Sequence, residues 1–370
     1  MLKILFLIHD LGQGGAEKVL VNLVNNMDSK KFDISVIALF GGGVNEQYLK
    51  PHIHYRAIFS KTFRGNIHVM KLLTPQQLHR LFIRERYDVE VSYLEGPSAR
   101  IISGCMDEDT KTVSWIHCTA ASSASLARSF RSEKEMRCCY NSFDRMIFVA
   151  RTSEEAFRKS CPLSNRTEVL YNTNESEKIL AWAQEPAPLF SDCRSEIYWC
   201  GMGKVTPNKG FDRMLRIQKR LLEEGYPVHL CILGDGPQRA ELEQWCRSNG
   251  ISESVTFLGY QTNPYQYLAK CDLYVCASHS EGFSTAATEA LIVGTPVCTV
   301  EVSGMKEMLG DHDEWGIVTE NDDEALYRGI RRLLDDPECF ACYRQKAGQR
   351  GKMFSTENTV RAVEEMLMQL

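Results

Sequence analysis

SHSEGFSTAATEALIVGTP, residues 278–296, is the stretch on which the fold turns. It follows the apolar run CDLYVCAS (271–278), passes through a polar loop carrying Glu281 and Gly282, and enters AATEALIV, a segment of helix-forming composition closed by Gly294, Thr295 and Pro296. The order is strand, loop, helix. Gly282 lets the backbone approach a ligand closely. The amides of Ser284, Thr285 and Ala286 then lie at a helix N-terminus, where unpaired N–H groups and partial positive charge suit a phosphate. Glu281 and Glu289 bracket this anion site with seven residues between them, so each can meet a polyol on one side of it. Sugar hydroxyls, a diphosphate and ribose hydroxyls have that layout. Taken alone, the stretch also fits an ordinary strand-to-helix corner with solvated glutamates.

The neighbouring segments repeat the order. EIYWCGMG (196–203), a helix from about Phe211 to Gly225, VHLCILGDG (228–236), a helix from about Pro237 to Asn249, VTFLG (255–259) and a short helix near Pro264 precede it, and TPVCTV (295–300) follows. In the first half, KILFLIH leads through DLGQGG into a helix with Ala16, Val19, Leu20, Leu23, Val24 and Met27 on one face. Strand-like runs recur at 33–39, 88–94, 111–117, 144–150 and 167–172. Strands alternating with helices predict α/β architecture with parallel sheets covered on both faces, and ligands bind such sheets outside the carboxyl ends of the strands. In the first half that edge carries His9, Gly14, Gly15, Glu95, His117 and Arg151. The glycines at 12, 14 and 15 do not make a dinucleotide fingerprint, and no acidic residue closes a second strand near Ala38, which disfavours a dehydrogenase.

Residues 174–196, with two prolines and many charges, read as an interdomain segment. The expected organisation is a domain over 1–180, a second over 181–352 and a C-terminal helix over 353–370. That helix carries Val360, Val363, Leu367 and Leu370 on one stripe and needs a surface to cover.

At 370 residues the chain can build two sizeable cores, and 44% hydrophobic with 25% charged residues is the composition of a soluble globular protein. No stretch approaches the ~18–20 apolar residues that span a bilayer, and the N-terminus reads as a strand without a cleavage pattern, so a cytoplasmic protein is expected. Fourteen cysteines without framework spacing fit a reducing compartment. Cys339 and Cys342 form the only CxxC; without a second pair no metal is expected. Asp107–Asp109 and Asp311–Asp313 are DxD strings outside the sites argued above.

Charge divides unevenly. Residues 1–180 hold 24 basic against 20 acidic side chains, and 181–370 hold 19 against 28. Within the first half, residues 50–86 carry eight basic residues and Glu85 as the only acid, interleaved with Phe59, Phe63, Leu72, Leu73, Leu81 and Phe82. Such a segment is attracted to anionic lipid.

Taken together, GMGKVTPNKGFDRMLRI, the LGDGP turn, VTFLGY and SEGFSTAATEAL resemble the donor-binding half of the retaining glycosyltransferases of family four. IHDLGQGGAEKVL, VSWIH and FVARTSEEAF with VLYNTNE resemble the acceptor-side half, and the match runs in order from about residue 3 to residue 336. The resemblance implies the GT-B fold: two Rossmann-like domains facing across a cleft, with the C-terminal helix packing back on the N-terminal domain. It implies transfer from a nucleoside diphosphate sugar, with a UDP-sugar expected, to a polysaccharide or lipid-linked glycan. No cofactor, metal or nucleic acid is expected. Lys209 matches the lysine on the diphosphate, and Lys204 stands where the family usually has arginine. Glu281 matches the glutamate on the donor sugar hydroxyls, Glu289 the one holding the ribose, and His117 the histidine beside the transferred sugar. Gly14 and Gly15 match the loop closing over the phosphates, and Gly282, Phe283, Ser284, Thr285 and Ala286 the loop and helix start beneath them. His117, Lys209 and Glu281 are the expected catalytic residues.

Thr173 after Asn172, and Ser284 after EGF, depart from the family pattern and bear on loop shape and acceptor choice. A sugar-nucleotide epimerase shares the architecture, and a non-catalytic partner subunit shares the fold. Intact Glu281, Glu289, Lys209 and His117 argue against the subunit. The basic segment 50–86 extends the reading to a peripheral protein on the inner membrane face.

Overall fold

The computed structural model describes residues 1–12, 14–117, 122–188, 196–281, 283–302 and 304–370. They form two compact units, Met1–Asn174 with Thr356–Leu370, and Glu175–Ser355.

The first unit is built on seven parallel strands: β1 (Leu2–Ile8), β2 (Phe32–Phe40), β3 (His54–Phe59), β4 (Val89–Ser92), β5 (Lys111–Ile116), β6 (Arg145–Phe148) and β7 (Arg166–Val169), in the order β3-β2-β1-β4-β5-β6-β7. Ile4, Leu5, Phe6, Leu7 and Ile8 are all buried, as an apolar run covered on both faces requires. β3 lies inside the basic segment and was not expected from the sequence, because only one of its neighbours is a strand and its exposed His54 and Arg56 break the apolar run. The C-terminal helix Thr356–Met368 belongs to this unit and packs on the helix Gly15–Asn26. It buries Val360, Val363 and Leu367, a contribution of roughly 1.5–3 kcal/mol per side chain. Glu364 fixes its register by accepting from the Asp28 amide at 2.7 Å.

The second unit holds β8 (Ile197–Met202), β9 (Val228–Leu233), β10 (Val255–Gly259), β11 (Leu273–Cys276), β12 (Val297–Val300) and β13 (Ile317–Thr319), again parallel, in the order β10-β9-β8-β11-β12-β13. In chain order this is the 3-2-1-4-5-6 arrangement, with its switch point between β8 and β11. Part of the expected interdomain segment is instead a helix of this unit, Ser176–Ala183, which buries Ile179 and Ala183 and contacts the helices Tyr265–Leu268 and Thr285–Val293. At eight residues it is too short to show a periodicity among the flanking prolines and charges.

The twelve described cysteines are free thiols, most of them buried. No described helix is long and apolar enough to cross a membrane.

Candidate active site

The loops leaving β8 and β11 meet at the switch point of the second sheet, and they bring Lys209 to Glu281. The Lys209 ammonium donates to Glu281 Oε1 at 2.6 Å, and the Ser278 hydroxyl donates to the same oxygen at 2.7 Å. Gly210 makes this approach possible: its φ is +66°, and a Cβ there would lie 2.0 Å from the carbonyl oxygen of Ala277. Only glycine accepts both conditions. Asn208 ties the loops further, donating from Nδ2 to the Ser280 carbonyl at 2.9 Å and accepting the His279 amide at its own carbonyl at 2.8 Å.

Beneath the β11 loop, the guanidinium of Arg213 donates to the Ala277 carbonyl at 3.2 Å and to Asn321 Oδ1 at 2.7 Å, and lies 3.2 Å from His279 Nδ1. Arg213 is buried on the core face of the helix Phe211–Glu223. A charge on the apolar stripe of a helix is the sequence signal that could have singled it out; Ser278, Asn208 and Tyr265 carry no comparable signal.

Ser284 caps the helix Thr285–Val293, its hydroxyl accepting the Ala287 amide at 3.3 Å. The amides of Thr285 and Ala286 have no partner among the described residues, so the positive end of this helix keeps donors free for an anion. Glu289 lies in the second turn, buried, and its Oε1 accepts the hydroxyl of the equally buried Tyr265 at 2.9 Å. Phe283 turns inward and packs on Phe354, with ring centroids 6.2 Å apart. Lys204 is exposed, and its ammonium has no hydrogen-bond or ion-pair partner among the described residues. Gly282 lies outside the described residues.

Gly14, Gly15 and His117 belong to the first unit. Gly14 and Gly15 are exposed at the start of the helix that follows β1. His117 follows β5; its amide donates to Glu95 Oε2 at 3.2 Å, and its ring lies 4.6 Å from the Tyr93 ring, centroid to centroid. Part of His117 reaches solvent, but its Nε2 is buried without a hydrogen-bond partner among the described residues, as is the Tyr93 hydroxyl. Burial lowers the imidazole pKa to about 3 and pushes the Tyr93 phenol well up. Glu17 shares this edge: burial raises its carboxyl pKa, with the charges of Asp10 and Glu95 acting in the same direction.

His117 therefore stays neutral at working pH. Its contribution to stability is complete above pH 6.5 and declines on acidification, because the unfolded chain takes up a proton that the folded chain refuses until pH about 3. Compared with His117→Gln, the parent protein is expected to lose about 2 kcal/mol more stability between pH 7 and pH 5. Urea unfolding of both proteins at the two pH values checks this; parallel losses would show that the ring titrates normally.

Two family profiles cover most of the chain. The profile described as Glycosyltransferase Family 4 matches residues 13–174, and that described as Glycosyl transferases group 1 matches residues 195–353. The chain is similar to the N-acetylgalactosamine-N,N'-diacetylbacillosaminyl-diphospho-undecaprenol 4-alpha-N-acetylgalactosaminyltransferase of Campylobacter jejuni, 27% identical over 361 residues, 96% of each chain. It is 34% identical to the lipopolysaccharide core biosynthesis glycosyltransferase LpsD of Rhizobium meliloti over 37% of this chain and 39% of that one. Among solved structures, Anabaena HepE in complex with UDP superposes with a TM-score of 0.76 over the full length of both chains, at 20% identity. The same protein in complex with UDP-glucose gives a TM-score of 0.73, again at 20% identity over both full chains. The doubly wound sheets, the loops at the second sheet's switch point and both profiles converge: this chain belongs to the family-4-like glycosyltransferases of the GT-B fold.

Proposed function

We propose that the chain transfers a hexosyl unit, with its anomeric configuration retained, from a UDP-sugar to a lipid-linked or polysaccharide glycan, and that it does so without a metal. The observation that carries this reading is the Lys209–Glu281 pair at the second sheet's switch point, with Glu281 four residues ahead of a helix whose first amides have no partner among the described residues. When the bond between the anomeric carbon and the diphosphate oxygen breaks, negative charge grows on the leaving group. Fixed donors aimed there stabilise the transition state more than the ground state. Lys209 and the amides of Thr285 and Ala286 are such donors, and the exposed Lys204 ammonium adds a mobile one. Glu281, oriented by Lys209 and Ser278, accepts donor sugar hydroxyls, and Glu289, oriented by Tyr265, accepts ribose hydroxyls. The acceptor hydroxyl attacks on the face the leaving group departs from and gives its proton to the leaving phosphate oxygen, so no protein nucleophile is needed. The UDP and UDP-glucose complexes of the Anabaena protein and the lipid diphosphate in the name of the Campylobacter relative support these choices of donor and acceptor.

In the test, UDP-sugars, but not GDP-sugars, raise the thermal midpoint, and label from one of them passes to glycolipid or polysaccharide in a membrane extract with its anomeric configuration unchanged, also in EDTA. Label that remains on the nucleotide as an epimer would replace transfer by epimerisation. Activity lost in EDTA and restored by Mg²⁺ or Mn²⁺ would remove metal independence.

The acceptor reading extends to the inner membrane face. In the first unit Lys61, Arg64, Lys71, Arg80 and Arg84 have no side-chain partner among the described residues, and Leu72 and Leu81 are exposed. Arg86 is different: Asp107 and Asp109 hold it at 2.7 and 2.6 Å. Phe59 and Phe82 belong to the core, their rings 5.8 Å apart. Binding to anionic vesicles should weaken roughly 100-fold when Lys71, Arg80 and Arg84 become glutamine, at about 1 kcal/mol per basic residue, and should fade with salt. Equal sedimentation with neutral and anionic vesicles would leave an enzyme that does not use the surface.

A further inference from the structure

The first unit holds a mixed cluster outside the residues discussed so far. His79 projects from the helix Pro75–Phe82, Glu90 from β4, and Cys105 from the turn after the helix Pro97–Ile102. His79 Nε2 lies 2.7 Å from Glu90 Oε2, and ligand atoms of all three residues lie within 4.8 Å of one another. Glu90 is buried, and His79 is its only ion-pair partner among the described residues. The backbone holds the three elements firmly. A capping box locks the start of the His79 helix, with the Gln77 amide donating to Thr74 Oγ1 at 3.2 Å and the Thr74 amide to Gln77 Oε1 at 2.8 Å. Gly104 rests directly on that helix start, since a Cβ there would lie 2.1 Å from the Pro75 carbonyl oxygen.

We infer that His79, Glu90 and Cys105 bind one zinc ion, as a clamp joining a helix, a strand and a turn of the first unit. Imidazole nitrogen, carboxylate oxygen and thiolate sulfur at about 2.0–2.3 Å from zinc stand roughly 3.3–3.6 Å apart in a tetrahedron, so the ion would open the 2.7 Å His79–Glu90 contact and draw in the Cys105 sulfur from within 4.8 Å. Water fills the fourth position. Thiolate and carboxylate together neutralise the ion, and the displaced thiol proton and the proton between His79 and Glu90 pass to solvent. A nitrogen, sulfur and oxygen set favours zinc over Mg²⁺ or Mn²⁺. The site shares no residue with those proposed for transfer, so it stands apart from the metal independence proposed there, and the two tests differ in the ion that restores the protein.

The test uses the full chain stripped with chelator and then given zinc. About one zinc per chain should survive desalting, and the thermal midpoint should rise by roughly 5–10 °C at zinc 100-fold above its Kd. Cobalt in place of zinc should give a thiolate-to-metal charge-transfer band in the near ultraviolet, which reads sulfur ligation without any substitution. Retained zinc, thermal shift and band should be lost in Cys105→Ser and, for retained zinc, in His79→Gln, and all should persist in the double variant Cys339→Ser/Cys342→Ser. Parental protein that retains no zinc and shows no cobalt band, or a Cys105→Ser protein that keeps both, would overturn the inference.

Discussion

Replacing Lys209 by alanine is expected to lower turnover roughly 10²–10³-fold while weakening donor binding less than about tenfold, the ratio expected of a fixed donor that meets charge developing in the transition state. The ammonium is preorganised: its 2.6 Å bond to Glu281 and the turn at Gly210 set its position before any donor arrives. Its removal has a second consequence, because Glu281 would lose one of the groups that orient its carboxylate. Lys209→Met separates the two effects poorly, so the informative companion is Glu281→Gln, which keeps an acceptor for sugar hydroxyls while removing the ion pair. Lys204→Arg should be neutral or beneficial, since its exposed side chain has room for the guanidinium fork to engage a phosphate with two bonds. Steady-state kinetics with a UDP-sugar checks all of these. Parental turnover in Lys209→Ala would exclude it as the leaving-group cation.

Glu289→Ala should weaken UDP binding by roughly 1–3 kcal/mol, the range for hydrogen bonds to a charged group, or about 5- to 150-fold. The structure adds a cost to folding: the buried Tyr265 hydroxyl would lose its 2.9 Å hydrogen bond to the Glu289 carboxylate, a loss of about 1.5–3 kcal/mol in stability. Glu289→Gln keeps an acceptor for Tyr265 and should recover most of that stability, while binding remains reduced. Tyr265→Phe should affect binding less than Glu289→Ala, because it loosens the carboxylate without removing it. Calorimetry with UDP on folded variants decides: unchanged affinity in Glu289→Ala would remove this residue from the ribose site and leave it a structural partner of Tyr265.

The sequence by itself determined the class of fold and the local frames of the site. Runs such as KILFLIH, and apolar residues at helical spacing from Ala16 to Met27, report burial within a few residues of themselves, so strands, helices and their alternation are legible without a structure. The loop ahead of the helix Thr285–Val293 is legible for the same reason, since helix-forming composition and a stop at Gly294 act locally, while the cap by the Ser284 hydroxyl is seen only in the structure. Short elements at the margins were not. β13 has three residues and the helix Ser176–Ala183 eight, too few for a period to emerge, and β3 is hidden among basic residues. Only the tertiary structure decided which distant groups meet. Lys209 and Glu281 are 72 residues apart and Tyr265 and Glu289 are 24 apart; the strand order that seats β8 beside β11 brings the first pair together, and packing of the helices Tyr265–Leu268 and Thr285–Val293 the second. The same holds for charge. Arg86 counts as a free cation in the sequence but is held by Asp107 and Asp109, and Arg213, on the apolar stripe of its helix, finds its partners only beneath the β11 loop. Charge pairing depends on a few ångströms of space, and that distance is set by the packing of elements far apart in the chain.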